Sequence, residues 1–207
     1  MKRRNRGKYM NWLNKLDRRM GKFAIPNLIV FLIGAYVIGF AIGLMNPGLL
    51  GYLSLSPYHI LHGQVWRLVT WVIVPPSTHG VLFYAILMLF YYELGMNLEH
   101  TWGVFRYNVY IFGGILYTVI GAVFTWLIMS AMYGNAEIMG VLVGTQVSTY
   151  YICMSIFLAF AVCYPNMQVM LYFIIPIKMK WMAYVYALLM VLDLIQSTLP
   201  RRIVMVM

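Results

Sequence analysis

Long apolar segments separated by short polar stretches dominate the chain. Five of them are long enough to be considered as membrane-spanning helices, since a span needs about 20 mostly apolar residues. Their approximate limits are residues 26–45, 80–95, 107–132, 141–164 and 181–196. Pro26 marks a helix start, and the sequence Asn46-Pro47-Gly48 marks the end of that helix. The pattern predicts an all-α polytopic membrane protein with five transmembrane helices in this chain.

Two of the five segments, 80–95 and 181–196, are short for a hydrocarbon layer of about 30 Å. We therefore expect them to extend into flanking residues or to cross a thin region of membrane. An odd number of spans also places Arg201 and Arg202 outside, against the positive-inside rule. This imbalance predicts that a sixth helix is missing from the chain.

The composition excludes a soluble domain. The chain has 207 residues, of which 63% are hydrophobic and only 10% charged, with a mean hydropathy of +0.79. Soluble domains are about a quarter charged, and such a domain could not bury this much apolar surface. Membrane β-strands would alternate apolar and polar residues, whereas these apolar runs are continuous.

Candidate ligands for a cofactor are scarce. Cys153 and Cys163 lie in one apolar segment, and we interpret them as buried free thiols rather than a disulfide or a metal site. The sequence has no metal-ligand cluster, no glycine-rich phosphate loop and no nucleotide-binding signature. We therefore expect no cofactor and no metal.

Basic residues are concentrated before the first apolar segment. Nine of the fifteen lysines and arginines lie there: Lys2, Arg3, Arg4, Arg6, Lys8, Lys15, Arg18, Arg19 and Lys22. This distribution predicts a cytoplasmic N-terminus and favours membrane topology over nucleic-acid binding. The first apolar segment is too long for a signal-peptide core, so we expect it to be retained. A bacterial-type plasma membrane is the expected location.

Residues 10–22 have the pattern of a helix that lies on a membrane surface. Trp12, Leu13 and Leu16 share one helical face and are surrounded by basic residues. Such a helix buries its apolar face at the interface and attracts anionic headgroups. Membrane lipids are therefore predicted partners.

The predicted organisation has three parts. They are a basic cytoplasmic N-terminal segment (1–25), a transmembrane domain (26–196) and a short C-terminal tail (197–207). With the N-terminus inside, the predicted outer loops are 46–79 and 133–140, and the predicted inner loops are 96–106 and 165–180. Arg106, Lys178 and Lys180 then lie inside, in agreement with the positive-inside rule.

The first outer loop, 46–79, mixes apolar residues with polar groups. Ser56 followed by Pro57 is a helix-start signature. Trp66 fits the headgroup depth of a helix lying flat at the interface. Arg67 has five N–H donors, which suits it to hold backbone carbonyls in a folded loop. The alternative, a solvated surface loop, would not need this many apolar residues.

Three short motifs in this order and spacing resemble the rhomboid superfamily of six-helix intramembrane serine proteases. The first is Trp66-Arg67, and the second is a Glu-x-x-x-Gly-x-x-Arg turn formed by Glu99, Gly103 and Arg106. The third is the segment 164–188, which is similar to the rhomboid link between helices four and five. The resemblance covers about residues 24–196 and implies a rhomboid-like helical bundle. The first motif also resembles derlins, which are non-proteolytic relatives that handle membrane clients.

The resemblance implies where catalytic groups should lie. A rhomboid protease has a serine near the start of helix four, a histidine in helix six, and a His-x-x-x-Asn pair in helix two. Here the nucleophile position holds Tyr150, followed by Tyr151. Phe83 and Leu87 occupy the helix-two positions, and no histidine follows His100. These degenerate active-site positions predict a pseudoprotease.

The predicted function is therefore that of a catalytically inactive rhomboid-like protein that binds or escorts transmembrane segments of client proteins. One alternative is an intramembrane serine protease that is truncated or has a displaced active site, with Ser148 and His79 as weak candidates for nucleophile and base. Another is a structural or small-solute membrane module. The sequence leaves the client and the oligomeric state open.

Small residues in the third apolar segment predict close helix packing. Gly114 and Gly121 are seven residues apart and share a helix face, with Gly113 beside them. Glycines on one face allow two membrane helices to approach closely.

The topology can be tested with a membrane-impermeant thiol reagent. In sealed membranes of known orientation, a cysteine at Asn5→Cys should stay unlabelled from the outside, because the basic segment lies inside. A cysteine at His62→Cys, in the predicted outer loop, should be labelled and serves as the control. Labelling at position 5 with protection at position 62 would show the opposite orientation.

Overall fold

The computed structural model describes residues 15–75, 80–171 and 175–196. His79, the first fourteen residues and the predicted C-terminal tail lie outside this described part. Helices form most of it, and a two-stranded β-hairpin precedes the last helix. The predicted all-α polytopic membrane class is confirmed, although the number of spans differs.

The elements follow one another in a simple order. The helices are α1 (Leu28–Met45), α2 (Pro47–Leu53), α3 (Pro57–Leu61), α4 (Arg67–Thr70), α5 (Val81–Trp102), α6 (Val104–Tyr133), α7 (Ala136–Gln146), α8 (Tyr150–Cys163) and α9 (Met179–Gln196). The hairpin is formed by β1 (Gln168–Leu171) and β2 (Ile175–Lys178), which pair antiparallel. Residues 15–20 are also helical, and Gly21–Phe23 form a 3-10 turn.

Four candidate membrane spans are present among the described residues, where the sequence pattern predicts five. They are α1, α5, α6 and the 28-residue stretch Ala136–Cys163 that contains α7 and α8. The fifth predicted segment, 181–196, does form a helix, α9, but it is not one of these four. The share of buried residues in the four spans ranges only from 22% to 44%, so most of their apolar surface is left for lipid or for other membrane proteins.

The predicted inner loop 96–106 is wrong. Helix α5 continues through this polar stretch to Trp102, and α6 begins at Val104. Gly103 alone separates the two helices, and its φ of +86° is a conformation that other residues rarely adopt. Low hydropathy marks where a helix leaves the membrane and not where it ends, which explains the error.

The predicted outer loop 133–140 is also wrong in most of its length. Helix α6 runs to Tyr133, and α7 starts at Ala136, where the side chain of Asn135 accepts a hydrogen bond from Ile138 N at 3.2 Å. The predicted span 141–164 is interrupted at residues 147–149, between α7 and α8. Asparagine and threonine before a helix are typical start signals, and apolar periodicity alone does not reveal them.

One end of the bundle gathers the start of α1 and the junction of α5 with α6; we call it the N-terminal end. The backbone N–H of Asn27 donates to Oε1 of Glu99 at 2.7 Å. The side chain of Asn108 accepts from Ile25 N and donates to Ile25 O, both at 2.9 Å. The start of α1 is therefore held by side chains of two other helices.

The opposite end contains the segment that connects α1 to α5, with the short helices α2 to α4. We call this the loop end. The hydroxyl of Thr149 donates to Val74 O at 2.7 Å, which links the start of α8 to this folded segment. Helix α7 packs directly against it, since a Cβ added to Gly144 would lie 2.6 Å from Leu55 O. The structure thus joins the predicted outer loop 46–79 to the start of α8.

Close helix packing occurs at other glycines than the predicted ones. A Cβ added to Gly95 would lie 2.5 Å from Cγ1 of Ile29 and 2.8 Å from the hydroxyl of Tyr107. A Cβ added to Gly113 or Gly114 would meet nothing within 4 Å. The prediction of close packing is therefore wrong for Gly114, because none of the described helices packs against it.

Alanine substitutions distinguish these two kinds of glycine. Gly95→Ala should lower the thermal midpoint in detergent, since overpacking a tight contact costs about 1–3 kcal/mol. The matched control Gly114→Ala should leave the midpoint unchanged or raise it, because alanine favours a helix interior by about 0.5–1 kcal/mol. Equal midpoints for the two variants would contradict the contact between α1 and α5.

Candidate functional site

The break between α7 and α8 sets the geometry of the candidate site. Thr149 is buried and tied to Val74 O, and helix α8 begins at the next residue, Tyr150. The hydroxyl oxygen of Ser148 accepts a hydrogen bond from Tyr150 N at 3.2 Å. Serine–backbone bonds of this kind are common where a helix starts. The predicted nucleophile position is therefore the first residue of α8.

Tyr150 occupies this position, and Tyr151 and Tyr186 lie beside it. We call these three residues the tyrosine cluster (Tyr150, Tyr151 and Tyr186). The hydroxyls of Tyr150 on α8 and Tyr186 on α9 are hydrogen bonded to each other. The ring of Tyr151 meets the ring of Tyr150 edge-on at a centroid distance of 5.7 Å. Tyr150 remains 43% exposed, so the cluster is accessible from outside the protein.

Phe157 lies about two helical turns after Tyr150 on α8 and contacts the two neighbouring helices. Its ring centroid is 5.8 Å from that of Tyr186 on α9 and 6.3 Å from that of Phe90 on α5. Helix α8 thus packs between α5 and α9 at this level. Ring pairs at these distances are typical of aromatic packing.

Of the two helix-two positions named by the rhomboid resemblance, only Leu87 packs against the core. Phe83 is 46% exposed, and Leu87 is half-buried against the core. The buried residues in this part of α5 are Tyr84 and Met88. Tyr84 stacks on Phe40 of α1 with ring centroids 4.3 Å apart, so this face holds two helices together.

Of the displaced serine–histidine pair, only Ser148 lies among the described residues. Ser148 lies at the start of α8, whereas His79 is outside the described residues. The oxygen of Ser148 is already an acceptor for the start of the helix. Within the described ranges, no group of three or more His, Cys, Asp or Glu side chains could hold a metal ion.

A different serine–histidine contact, between Ser56 and His59, was not anticipated from the sequence. The hydroxyl of Ser56 and Nδ1 of His59 are 2.9 Å apart. Ser56 is only 2% exposed and starts helix α3, and a Cβ added to Gly140 would lie 3.4 Å from its oxygen. Helix α7 covers this hydroxyl, so a substrate carbonyl cannot reach it.

Arg67 is the buried centre of the loop end, at 4% exposure. Its guanidinium donates to Gly51 O at 2.8 Å, to Ser54 O at 3.0 Å and to Oε1 of Gln64 at 2.6 Å. The prediction that this arginine holds backbone carbonyls in a folded loop is confirmed. Burial lowers the pKa of the Arg67 guanidinium, but the ordinary value is so high that the group stays charged. The neighbouring Trp66 is 53% exposed, as an interfacial residue would be.

The second family-like motif forms the turn at the N-terminal end. Glu99 is buried and its Oε1 holds the start of α1, while its other carboxylate oxygen has no hydrogen-bond partner among the described residues. Gly103 supplies the turn itself, and Arg106 is exposed on the first turn of α6. Asn108 was missed from the sequence, because a lone asparagine near an apolar segment carries no pattern.

A family model described as "Eukaryotic integral membrane protein (DUF1751)" matches residues 27–207. The chain belongs to this family. The match includes α1 to α9, with Arg67, Glu99 and the tyrosine cluster, and it begins after most of the basic N-terminal segment. No curated protein and no solved structure matches the chain.

Membership of the DUF1751 family changes one expectation. An integral membrane protein is confirmed, but the family is eukaryotic, so the expected bacterial-type membrane is wrong. Hydropathy and charge report the bilayer and not the organism, which explains the error. The family description does not mention rhomboids, and the rhomboid likeness of this DUF1751 protein therefore stays a proposal.

Removal of the Arg67 side chain should destabilise the fold. Arg67→Ala leaves Gly51 O and Ser54 O without their donor, and hydrogen bonds to a charged group are worth roughly 1.5–3 kcal/mol each. We expect a lower thermal midpoint in detergent. Val65→Ala, at an exposed residue of the same segment, should leave the midpoint unchanged. An unaltered midpoint in Arg67→Ala would show that these bonds do not stabilise the loop end.

Proposed function

We propose that this integral membrane protein is a catalytically inactive rhomboid-like protein that binds or escorts transmembrane segments of client proteins. The observation that carries the proposal is the tyrosine cluster, which fills the position where the resemblance expects a nucleophile. The hydroxyl of Tyr150 is hydrogen bonded to that of Tyr186. A hydroxyl without an adjacent general base is a weak nucleophile.

The exposed side of α5 next to Phe157 supports binding of a transmembrane segment. Phe83 and Ile86 are 46% and 41% exposed and share a helix face with Phe90, which contacts Phe157. These apolar side chains, together with Tyr150, which is 43% exposed at the start of α8, would suit a segment that is mainly apolar.

The same proposal includes a cytoplasmic N-terminus. The N-terminal end carries Lys15, Arg18, Arg19, Lys22 and the exposed Arg106. The loop end holds Arg67 in a buried position and exposes Glu137 in the first turn of α7. This asymmetry supports the orientation predicted from charge, because positive residues stay on the cytoplasmic side.

Site-specific photo-crosslinking in native membranes tests client binding. A photoreactive phenylalanine at Ile86 should give protein adducts whose cross-linked peptides are transmembrane segments. Tyr92 is the matched control, because it is 42% exposed on the same helix but about 120° around it from Ile86. Adducts to lipid alone at position 86, or equal adducts at both positions, would contradict a client site beside Phe157.

The protease alternative has its own test. The purified chain should not react with a fluorophosphonate probe, because Ser148 has no histidine partner among the described residues. Tyr150→Ser combined with Tyr151→Gly should also stay unreactive, since these changes add no general base. Labelling of the wild type that is lost in Ser148→Ala, or in His79→Ala, would support a displaced active site and contradict the inactive reading.

A further inference from the structure

The segment before α1 has an apolar face that the other described residues leave largely exposed. Residues 15–20 are helical and continue into the turn Gly21–Phe23. Leu16, Met20 and Phe23 are spaced four and three residues apart, so they form one stripe along the segment. Leu16 is half-buried, whereas Met20 is 51% exposed and Phe23 is 81% exposed. Most of this stripe is therefore available to a membrane.

The side of the segment next to this stripe is strongly basic. At 100° per residue, the four cations of residues 15–22 fall together within about 100° of helical arc. These cations are Lys15, Arg18, Arg19 and Lys22. Asp17 is the one acidic residue among residues 15–23 and lies on another side. The segment thus presents an apolar stripe and a basic stripe side by side.

The tertiary structure holds this segment close to the start of α1, which is a candidate membrane span. Two residues after Phe23, both backbone polar groups of Ile25 are hydrogen bonded to the side chain of Asn108. The backbone N–H of Asn27 is held by Glu99. Helix α1, a candidate span, begins at Leu28, so at most about 18 Å of chain separates Phe23 from it.

These three observations lead to one binding partner. We propose that residues 15–23 lie along the surface of the membrane that the protein spans, with the apolar stripe in the interface and the basic stripe bound to anionic phospholipid headgroups. A helix with an apolar face and an adjacent basic face binds in this way, by apolar burial and by attraction to anionic lipids. The anchors at Ile25 and Asn27 keep both stripes close to the start of α1, and therefore near the headgroup level.

The beginning of α9 extends the same surface. Met179 is buried, and its backbone N–H donates to Met167 O at 2.8 Å, which fixes the chain between its two basic neighbours. Lys180 lies with Nζ 5.9 Å from the ring centroid of Trp181, which is 58% exposed. Lys178 is exposed as well. A tryptophan beside lysines is typical of the membrane interface.

The full chain in lipid nanodiscs provides the test. An environment-sensitive fluorophore is attached at Met20→Cys in a Cys153→Ala, Cys163→Ala background, and a nitroxide lipid with a shallow label serves as quencher. In discs of phosphatidylcholine with phosphatidylserine we expect strong quenching. In phosphatidylcholine alone, or at high salt, quenching should fall, because electrostatic attraction to the headgroups is then lost or screened.

Charge variants test the contribution of the basic stripe to membrane binding. Arg18→Gln with Arg19→Gln should lower the ratio of docked to free segment by about 25-fold, which follows from about 1 kcal/mol for each basic residue near an anionic surface. Glu137→Gln, which removes an exposed charge at the loop end, is the control and should leave the quenching unchanged. The thermal midpoint should stay unchanged in all variants, since these side chains lie outside the core.

Two results would overturn the proposal. Quenching that is equal in neutral and anionic discs and insensitive to salt would remove the headgroup contacts. Absence of quenching in both discs would show that the segment does not lie on the membrane, and a soluble partner would then be the better explanation of its apolar stripe. Neither result depends on whether the crosslinking at Ile86 succeeds.

Discussion

Every backbone polar group that a helix does not satisfy must find a partner inside the protein, because a bilayer offers none. The structure meets this constraint with a few side chains placed where the chain leaves a helix. Arg67 holds two carbonyls of the segment between α1 and α5, and Thr149 holds Val74 O. Asn108 satisfies both polar groups of Ile25, and Glu99 satisfies Asn27 N. The position of each break, and with it the position of the candidate site, depends on these bonds.

The same bonds bring irregular backbone close to helices, and small residues make room for it. Gly144 allows α7 to approach Leu55 O, and Gly39 allows α1 to approach the backbone of Ile73. A side chain at either place would collide with main-chain atoms, which cannot move aside as a flexible side chain does. The loop end is therefore a packed part of the protein, although it has the sequence of a connecting loop. Its rigidity is what presents the start of α8, with Tyr150, at a defined place.

A site of this kind differs in physical character from a hydrolase site. A serine nucleophile needs an adjacent base and donors for the developing oxyanion. Here the first residue of α8 is a tyrosine whose hydroxyl is engaged with Tyr186, and the nearby Ser148 accepts from the start of the helix. Aromatic rings fill the space around Phe157 between α5 and α9. Such a surface presents aromatic rings and apolar area, which supports the proposed binding of a transmembrane segment.

The sequence by itself determined the membrane class, the helical fold and the role of Arg67, because hydropathy over about 20 residues and the donor count of a side chain are local properties. It also placed Gly103 at a turn, although the predicted loop around it was too long. The end of α1 at Met45 was also predicted, from the sequence Asn46-Pro47-Gly48 that follows it. The tertiary structure alone decided how far α5 continues, which glycines lie at close contacts and which side chains meet. Gly95 and Gly114 look alike in the sequence, and only the neighbouring helix distinguishes them. Only the tertiary structure brings Asn108 to Ile25, 83 residues away, and Tyr150 to Tyr186. Contacts between distant residues depend on how the helices pack. An apolar pattern that faces lipid on most sides does not encode which side faces a partner helix.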